Sequence, residues 1–163
     1  MDKYSPPLIF RNPHLNAIVA STKPRKLFLR RRAKRLLESS ETHLLDCGDG
    51  VRLLGKYSQN SENTQGLVIL IAGWLGNDDS NYILSAASTL YNSGFNIFRL
   101  NLRDHGKSSQ LNRELFNANR IDEVINACGQ IQQQFPHQSC YLAGFSLGGN
   151  FSLRVASIGI ERG

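Results

Sequence analysis

The ten residues from Ser139 to Gly148 constrain this chain more than any other stretch. A run of strand character, Ser139 to Gly144, passes directly into Gly144-Phe145-Ser146-Leu147-Gly148, and the residues from Gly149 to Ile158 read as a helix. A serine on so sharp a strand-to-helix turn has a strained backbone, and its neighbours must be small if strand and helix are to approach closely. Gly144 and Gly148 meet that demand. The turn lifts the hydroxyl above the carboxyl edge of a sheet and sets the first amides of the helix around any anion forming there. Ser146 is therefore the candidate catalytic nucleophile, and Leu147 is a candidate oxyanion-hole donor through its backbone N–H. The five-residue pattern is short, so the surrounding elements decide its meaning.

Those elements alternate. His43 to Cys47 and Val51 to Tyr57 flank an Asp49-Gly50 turn, the short-range signature of a β-hairpin. Leu67 to Ala72 is a continuous aliphatic run, as expected of a strand buried on both faces. Ile83, Ala86, Ala87, Leu90 and Tyr91 recur at helical spacing within Asp79 to Asn92, with Asp79 or Ser80 as N-cap and Gly94 as terminator. Phe95 to Leu100 is a further strand. It is followed by a polar loop with Asp104, His105 and Gly106, and then by a helix carrying Ile121, Val124, Ile125, Cys128, Ile131 and Phe135 on one face. Alternating strands and helices after an opening hairpin predict an α/β class with a mostly parallel sheet and flanking helices, joined by right-handed crossovers.

Charge divides the chain into a basic N-terminal segment, residues 1–40, and a body, residues 41–163. The segment holds 10 basic and 2 acidic side chains, the body 9 and 11. Eight of the basic residues lie between Lys23 and Arg35, interleaved with Leu27, Phe28 and Leu29 and followed by Leu36 and Leu37. This is either a basic amphipathic helix docked by its leucines, or one whose arginines make weak contact with an anionic membrane surface or another polyanion. Nothing marks a specific nucleic-acid site. No apolar stretch approaches the ~20 residues of a membrane span, and Met1 to Pro7 lack the apolar core of a secretory signal. Cys47, Cys128 and Cys140 are an odd number without C-x-x-C spacing, which suggests neither a disulfide framework nor a zinc site, and they read as buried thiols. A cytoplasmic location is the expectation.

A second oxyanion donor is expected from the loop after the first core strand, Ala72-Gly73-Trp74-Leu75-Gly76. Gly73 lets the backbone approach a substrate carbonyl, and the Trp74 N–H is the candidate donor. The plainer reading is a Gly-rich connector.

The sequence resembles the α/β-hydrolase superfamily, and within it the YheT-like branch of predicted serine esterases. The resemblance is carried by Asn12-Pro13-His14-Leu15, Gly73-Trp74, Ser80-Asn81-Tyr82, Arg99-Leu100-Asn101-Leu102-Arg103-Asp104-His105-Gly106, and most specifically Gly144-Phe145-Ser146-Leu147-Gly148-Gly149-Asn150. It implies an α/β-hydrolase fold and hydrolysis of a small-molecule carboxylic ester through an acyl-enzyme, with no metal and no organic cofactor. One position departs from it. Ala72 stands where the family usually has histidine, which removes an imidazole that normally helps to hold the oxyanion loop.

The serine needs a base and an orienting carboxylate, and in this fold both follow it in the order Ser, Asp or Glu, His. Only 17 residues follow Ser146; Glu161 is the single acid among them, and none is histidine. Of His14, His43, His105 and His137, only His105 lies after a strand's carboxyl end, and Asp104-His105-Gly106 reads as a structural turn. The expectation is therefore the amino-terminal part of a hydrolase domain, truncated after the nucleophile elbow and inactive alone, whose triad partners lie beyond Gly163. The alternatives are a non-catalytic binding protein on the same scaffold, and an acyltransferase when complete.

Overall fold

A computed structural model describes residue 7 and residues 11–15, 23–60 and 64–161. The signal-free start expected at Met1 to Pro7, apart from Pro7, most of the basic segment before Lys23, and Gly163 lie outside the described residues. The chain enters with helices α1 (Lys23–Arg32) and α2 (Lys34–Glu38) and continues with strands β1 (Ser40–Asp46), β2 (Arg52–Ser58) and β3 (Leu67–Ile71). Helix α3 (Asn81–Asn92), strand β4 (Asn96–Asn101), helix α4 (Ile121–Gln134), strand β5 (Cys140–Gly144) and helix α5 (Leu147–Glu161) follow.

The five strands form one sheet in the order β1-β2-β4-β3-β5. β1 and β2 are the antiparallel hairpin, β2 is antiparallel to β4, and β4, β3 and β5 are parallel. The sheet is mixed and mostly parallel, as the alternation of elements predicts. β3 explains why its sequence lacks an alternating pattern. Leu67, Ile69 and Ile71 join the core beneath α4 and α5, while Val68 and Leu70 join the core beneath α1, α2 and α3. Both faces are covered, so all five of its side chains are buried.

The helices begin and end close to where the sequence places them. α3 is preceded by Ser80, whose Oγ accepts from the Asn77 N–H at 2.9 Å, and it is closed by Gly94, which has φ +95°. α5 starts at Leu147 rather than Gly149, because the elbow is itself the helix's first turn.

The basic stretch is helical and docks through Leu29, Leu36 and the partly buried Leu37, as the leucine reading expects, but not through Leu27. Leu29, Ala33 and Leu36 are buried, whereas Leu27 and Phe28 point outward. The reason is register: the residue that faces the core with Leu29 and Leu36 is the small Ala33, which admits α3 closely. The Ala33 N–H donates to the Leu29 oxygen at 2.8 Å and the Leu37 N–H to the Ala33 oxygen at 2.9 Å, so the helical bonding runs from α1 into α2. Arg30 reaches Asp79 at 2.6 Å. Among the cysteines, Cys47 and Cys128 are buried, and burial pushes both thiols up to about 12. Cys140 is only half-buried, since it opens the edge strand β5.

The largest fully buried side chain is a charged one, Arg99 in β4. Its Nη1 donates to the Asp78 carbonyl oxygen at 2.8 Å and its Nη2 to Ser40 Oγ at 2.7 Å. Asp78 is buried beside it: Asn101 Nδ2 donates to Oδ1 at 2.9 Å and Lys56 Nζ lies 2.7 Å from Oδ2. The Asp78 N–H donates to Asn101 Oδ1 at 2.7 Å. Four segments meet here, and the loop that follows β3 is tied down by them.

Burial alone would raise the Asp78 carboxyl pKa, but the Lys56 and Asn101 hydrogen bonds, with the charges of Lys56 and Arg99, overcome it and hold the carboxyl below its ordinary value. A carboxylate shifted in this direction stabilises the fold above its unfolded-state pKa, and the contribution is lost as pH falls through the lower folded-state value. Asp78→Asn should destabilise the protein near neutral pH by about 1–3 kcal/mol. Urea unfolding followed across the acid range should show the gap between the two proteins closing as pH falls through the carboxylate range.

Candidate active site

The turn after β5 is built by close approach. A Cβ on Gly148 would lie 2.4 Å from the Ile71 oxygen and 2.5 Å from the Ala72 oxygen, and one on Gly144 would lie 2.2 Å from the Gly148 carbonyl. Only glycine lets the first turn of α5 sit against the end of β3. The Phe145 N–H donates to the Ile71 oxygen at 3.1 Å, which carries the sheet pairing one residue past β5. The next residue, Ser146, has φ +52°. This left-handed conformation costs a side-chain-bearing residue about 1–2 kcal/mol. The Asn150 N–H donates to the Ser146 oxygen at 3.0 Å, so the strained residue caps the helix. Ser146 is exposed.

Ser146 is one of several such residues. Among the described residues, the non-glycine residues with positive φ are Asp49, Leu75, Asp104 and Ser146. Leu75, Asp104 and Ser146 lie in the loops leaving the carboxyl ends of β3, β4 and β5, and strain of this kind concentrates at functional edges. Leu75 occupies the third position of a turn closed by the Gly76 N–H donating to the Gly73 oxygen at 2.9 Å. That position ordinarily takes glycine or asparagine. Here it carries a leucine, and Trp74 and Leu75 are 72% and 84% exposed.

The two loops meet. A Cβ on Gly73 would lie 3.0 Å from the Phe145 oxygen and 3.3 Å from Ser146 Cβ, so the chain leaving β3 runs directly beside the serine. Among the described residues, neither the Trp74 N–H nor the Leu147 N–H has a hydrogen-bond partner. The structure thus places Ser146, Leu147, Gly144 and Gly148 in one turn, with the loop segment 72–74 alongside.

Three of the four histidines have ring contacts of their own. His105 is buried, with Nδ1 2.6 Å from the Arg103 oxygen and its ring against Phe116. His137 Nε2 lies 2.7 Å from Asn96 Nδ2, at the amino end of β4. His43 packs edge-on against Phe135. Among the described residues, Ser146 Oγ has no hydrogen-bond partner.

One residue of the site was not singled out by its chemistry. Tyr82, at the start of α3, accepts the Gly73 N–H on its phenolic oxygen at 3.1 Å. The same oxygen fills the notch at Gly76, where a Cβ would lie 2.0 Å away. Its ring lies 5.0 Å from that of Phe145. The signal in the sequence was Ser80-Asn81-Tyr82 together with the two loop glycines, but no spacing rule joins residues that meet only when α3 folds back on the loop. Beside Phe145 a groove of about 590 Å³ runs along α3, lined by Tyr82, Ala86 and Leu90.

Residues 66–159, more than half of the chain, match the family model described as the alpha/beta hydrolase fold. The chain belongs to the α/β-hydrolase fold family. Solved structures of similar fold include the esterase Pf2001 of Pyrococcus furiosus, at 21% identity and TM-score 0.64, covering 74% of this chain and 48% of that one. Est1E of Butyrivibrio proteoclasticus, solved with ferulic acid bound, matches at 21% identity and TM-score 0.63, covering 73% and 48%. XC6422 of Xanthomonas campestris, described as an α/β serine hydrolase without a lid, matches at 24% identity and TM-score 0.59, covering 74% and 56%. The chain spans about half the length of these α/β-hydrolase structures. No curated protein sequence matches it.

The elbow packing carries a stability test. Gly148→Ala forces a methyl group into two backbone carbonyls and should cost at least about 1–3 kcal/mol. Gly129→Ala, inside α4 with nothing within 4 Å of the added carbon, should instead stabilise by roughly 0.5–1 kcal/mol. Denaturant midpoints of the two variants should move in opposite directions.

Proposed function

We propose that the chain is the nucleophile-bearing part of a carboxylic ester hydrolase of the YheT-like branch, and that Ser146 is its nucleophile. The observation that carries this is the left-handed, exposed Ser146 on a turn that only Gly144 and Gly148 permit. In the reaction, Ser146 Oγ bonds to the ester carbonyl carbon while its proton passes to an imidazole. The carbonyl oxygen becomes the oxyanion and accepts from the Trp74 and Leu147 N–H groups. Collapse breaks the carbon–oxygen bond to the alcohol, which leaves with the proton, and water then cleaves the acyl-serine. The imidazole and its carboxylate belong to the part of the fold that follows the nucleophile in this family's order. Without them the elbow is expected to retain only the residual catalysis of oxyanion binding, on the order of 10⁶ below a full triad.

Tyr82 is a positioning residue in this reading. By accepting the Gly73 N–H it holds the oxyanion loop, a task the family usually shares with the histidine that Ala72 replaces. The free Trp74 N–H follows directly after the held Gly73.

Two experiments test the proposal on a protein extended to include the acid and base. An activated phosphonate should label it at Ser146, and Ser146→Ala should abolish the label; labelling that survives the substitution removes the assignment. Tyr82→Phe should lower kcat by roughly tenfold or more, less than the ~10²–10³ for removal of a donor itself, with KM little changed. An unchanged kcat would leave Tyr82 a packing residue only.

A further inference from the structure

Once α1 and α2 have docked, their outer face carries apolar and basic side chains together. Leu27, Arg31 and Lys34 follow one another at i, i+4 and i+7, and so line up on the side opposite buried Leu29, Ala33 and Leu36. Phe28 and Arg35, seven residues apart, flank that line. Leu27 is 57% exposed and Phe28 66%. Arg31 and Arg35 are exposed and their side chains have no partner among the described residues, while Lys34 is 3.6 Å from exposed Glu38. Glu38 is the one acidic residue between Lys23 and Glu38.

We propose that this face, Leu27, Phe28, Arg31, Lys34 and Arg35, is a peripheral docking surface for an anionic phospholipid bilayer. The charge complementarity is direct: three cations face outward with one acid among them, and each basic residue near an anionic leaflet adds to the attraction. The two apolar side chains select a bilayer over other polyanions. A phosphodiester backbone offers Leu27 and Phe28 nothing to bury against, whereas the boundary of headgroups and acyl chains accepts apolar side chains beneath its phosphates. The helix is already folded. Leu29, Ala33 and Leu36 anchor it, and Arg30 pairs with Asp79, so binding carries no cost of ordering a disordered segment. Among the described residues no helix is long and apolar enough to cross a membrane, so the attachment is to the surface.

The test is sedimentation of the purified protein with vesicles of phosphatidylcholine alone and of phosphatidylcholine mixed with phosphatidylglycerol, each at low and high salt. Binding is expected to the mixed vesicles only and to fall with salt, because exposed charges are screened beyond ~8 Å at physiological ionic strength. Arg31→Gln with Arg35→Gln should weaken it roughly tenfold or more. Leu27→Ser with Phe28→Ser should also weaken it severalfold without loss of helix by circular dichroism, while Arg113→Gln, an exposed arginine elsewhere, should leave it unchanged. Equal binding to both vesicles, no binding at low salt, or loss of binding with Arg113→Gln equal to that of the α1 pair would overturn the proposal. So would binding insensitive to the Leu27 and Phe28 changes with equal affinity for duplex DNA, the mark of a general polyanion surface. No turnover is read, so the result is separable from the role of Ser146.

Discussion

The contact on which the rest of the site depends is that of the first turn of α5 with the carbonyl groups ending β3. Gly148 sits against the Ile71 and Ala72 oxygens at a distance no side chain tolerates. Because α5 is drawn in so far, the chain between β5 and the helix has room for only two residues, and Ser146 is driven into the left-handed region to make the turn. The same approach brings Gly73 beside Ser146 Cβ, so the neighbouring loop is placed by the packing that strains the serine. Strain and placement are one event.

That loop would still be free to swing if it were held at one end only. Its far end is held by Asp78, which binds Lys56 of β2, Asn101 of β4 and, through its carbonyl, Arg99. Arg99 in turn reaches Ser40 at the start of β1. A guanidinium with no exposed surface is costly to bury, and burial pulls its pKa below the ordinary value against the opposing charges of Asp78 and Asp79. The network joins strands from both halves of the sheet to the loop that passes the serine. Tyr82 holds the near end from α3. Exposed Trp74 and Leu75 thus project from a loop restrained on both sides.

The edge strand β5 is less covered than its neighbours β3 and β4. Tyr141 is 51% exposed and none of the strand's side chains is fully buried, in contrast to β3 and β4. On the α5 side Leu153 is 76% exposed. The described sheet therefore ends on the strand that carries the elbow, consistent with a chain spanning about half the length of the α/β-hydrolase structures it resembles. At the other side of the fold α1 and α2 close the core with Leu29, Leu36 and, between the two helices, the small Ala33, while Leu27 and Phe28 turn outward.

Much of this was legible in the residues because the features concerned are local. A hairpin turn, an aliphatic run buried on both faces, helical periodicity with caps, and a serine between two glycines each depend on neighbours in sequence, and the hydrogen-bonding geometry of strand and helix converts them into structure with little freedom. The order of elements, the sharp turn at Ser146 and the adjacency of the loop after β3 followed from that. The tertiary structure alone decided what depends on contacts between distant segments: that Arg99 lies buried on Asp78 and Ser40, that Tyr82 accepts the Gly73 N–H of the loop after β3, and that Leu27 and Phe28 face outward while Ala33 faces in. Periodicity tells that a helix has faces, but only the shape of the surface it meets selects which face is buried, and side chains with polar ends take partners that no spacing along the chain encodes.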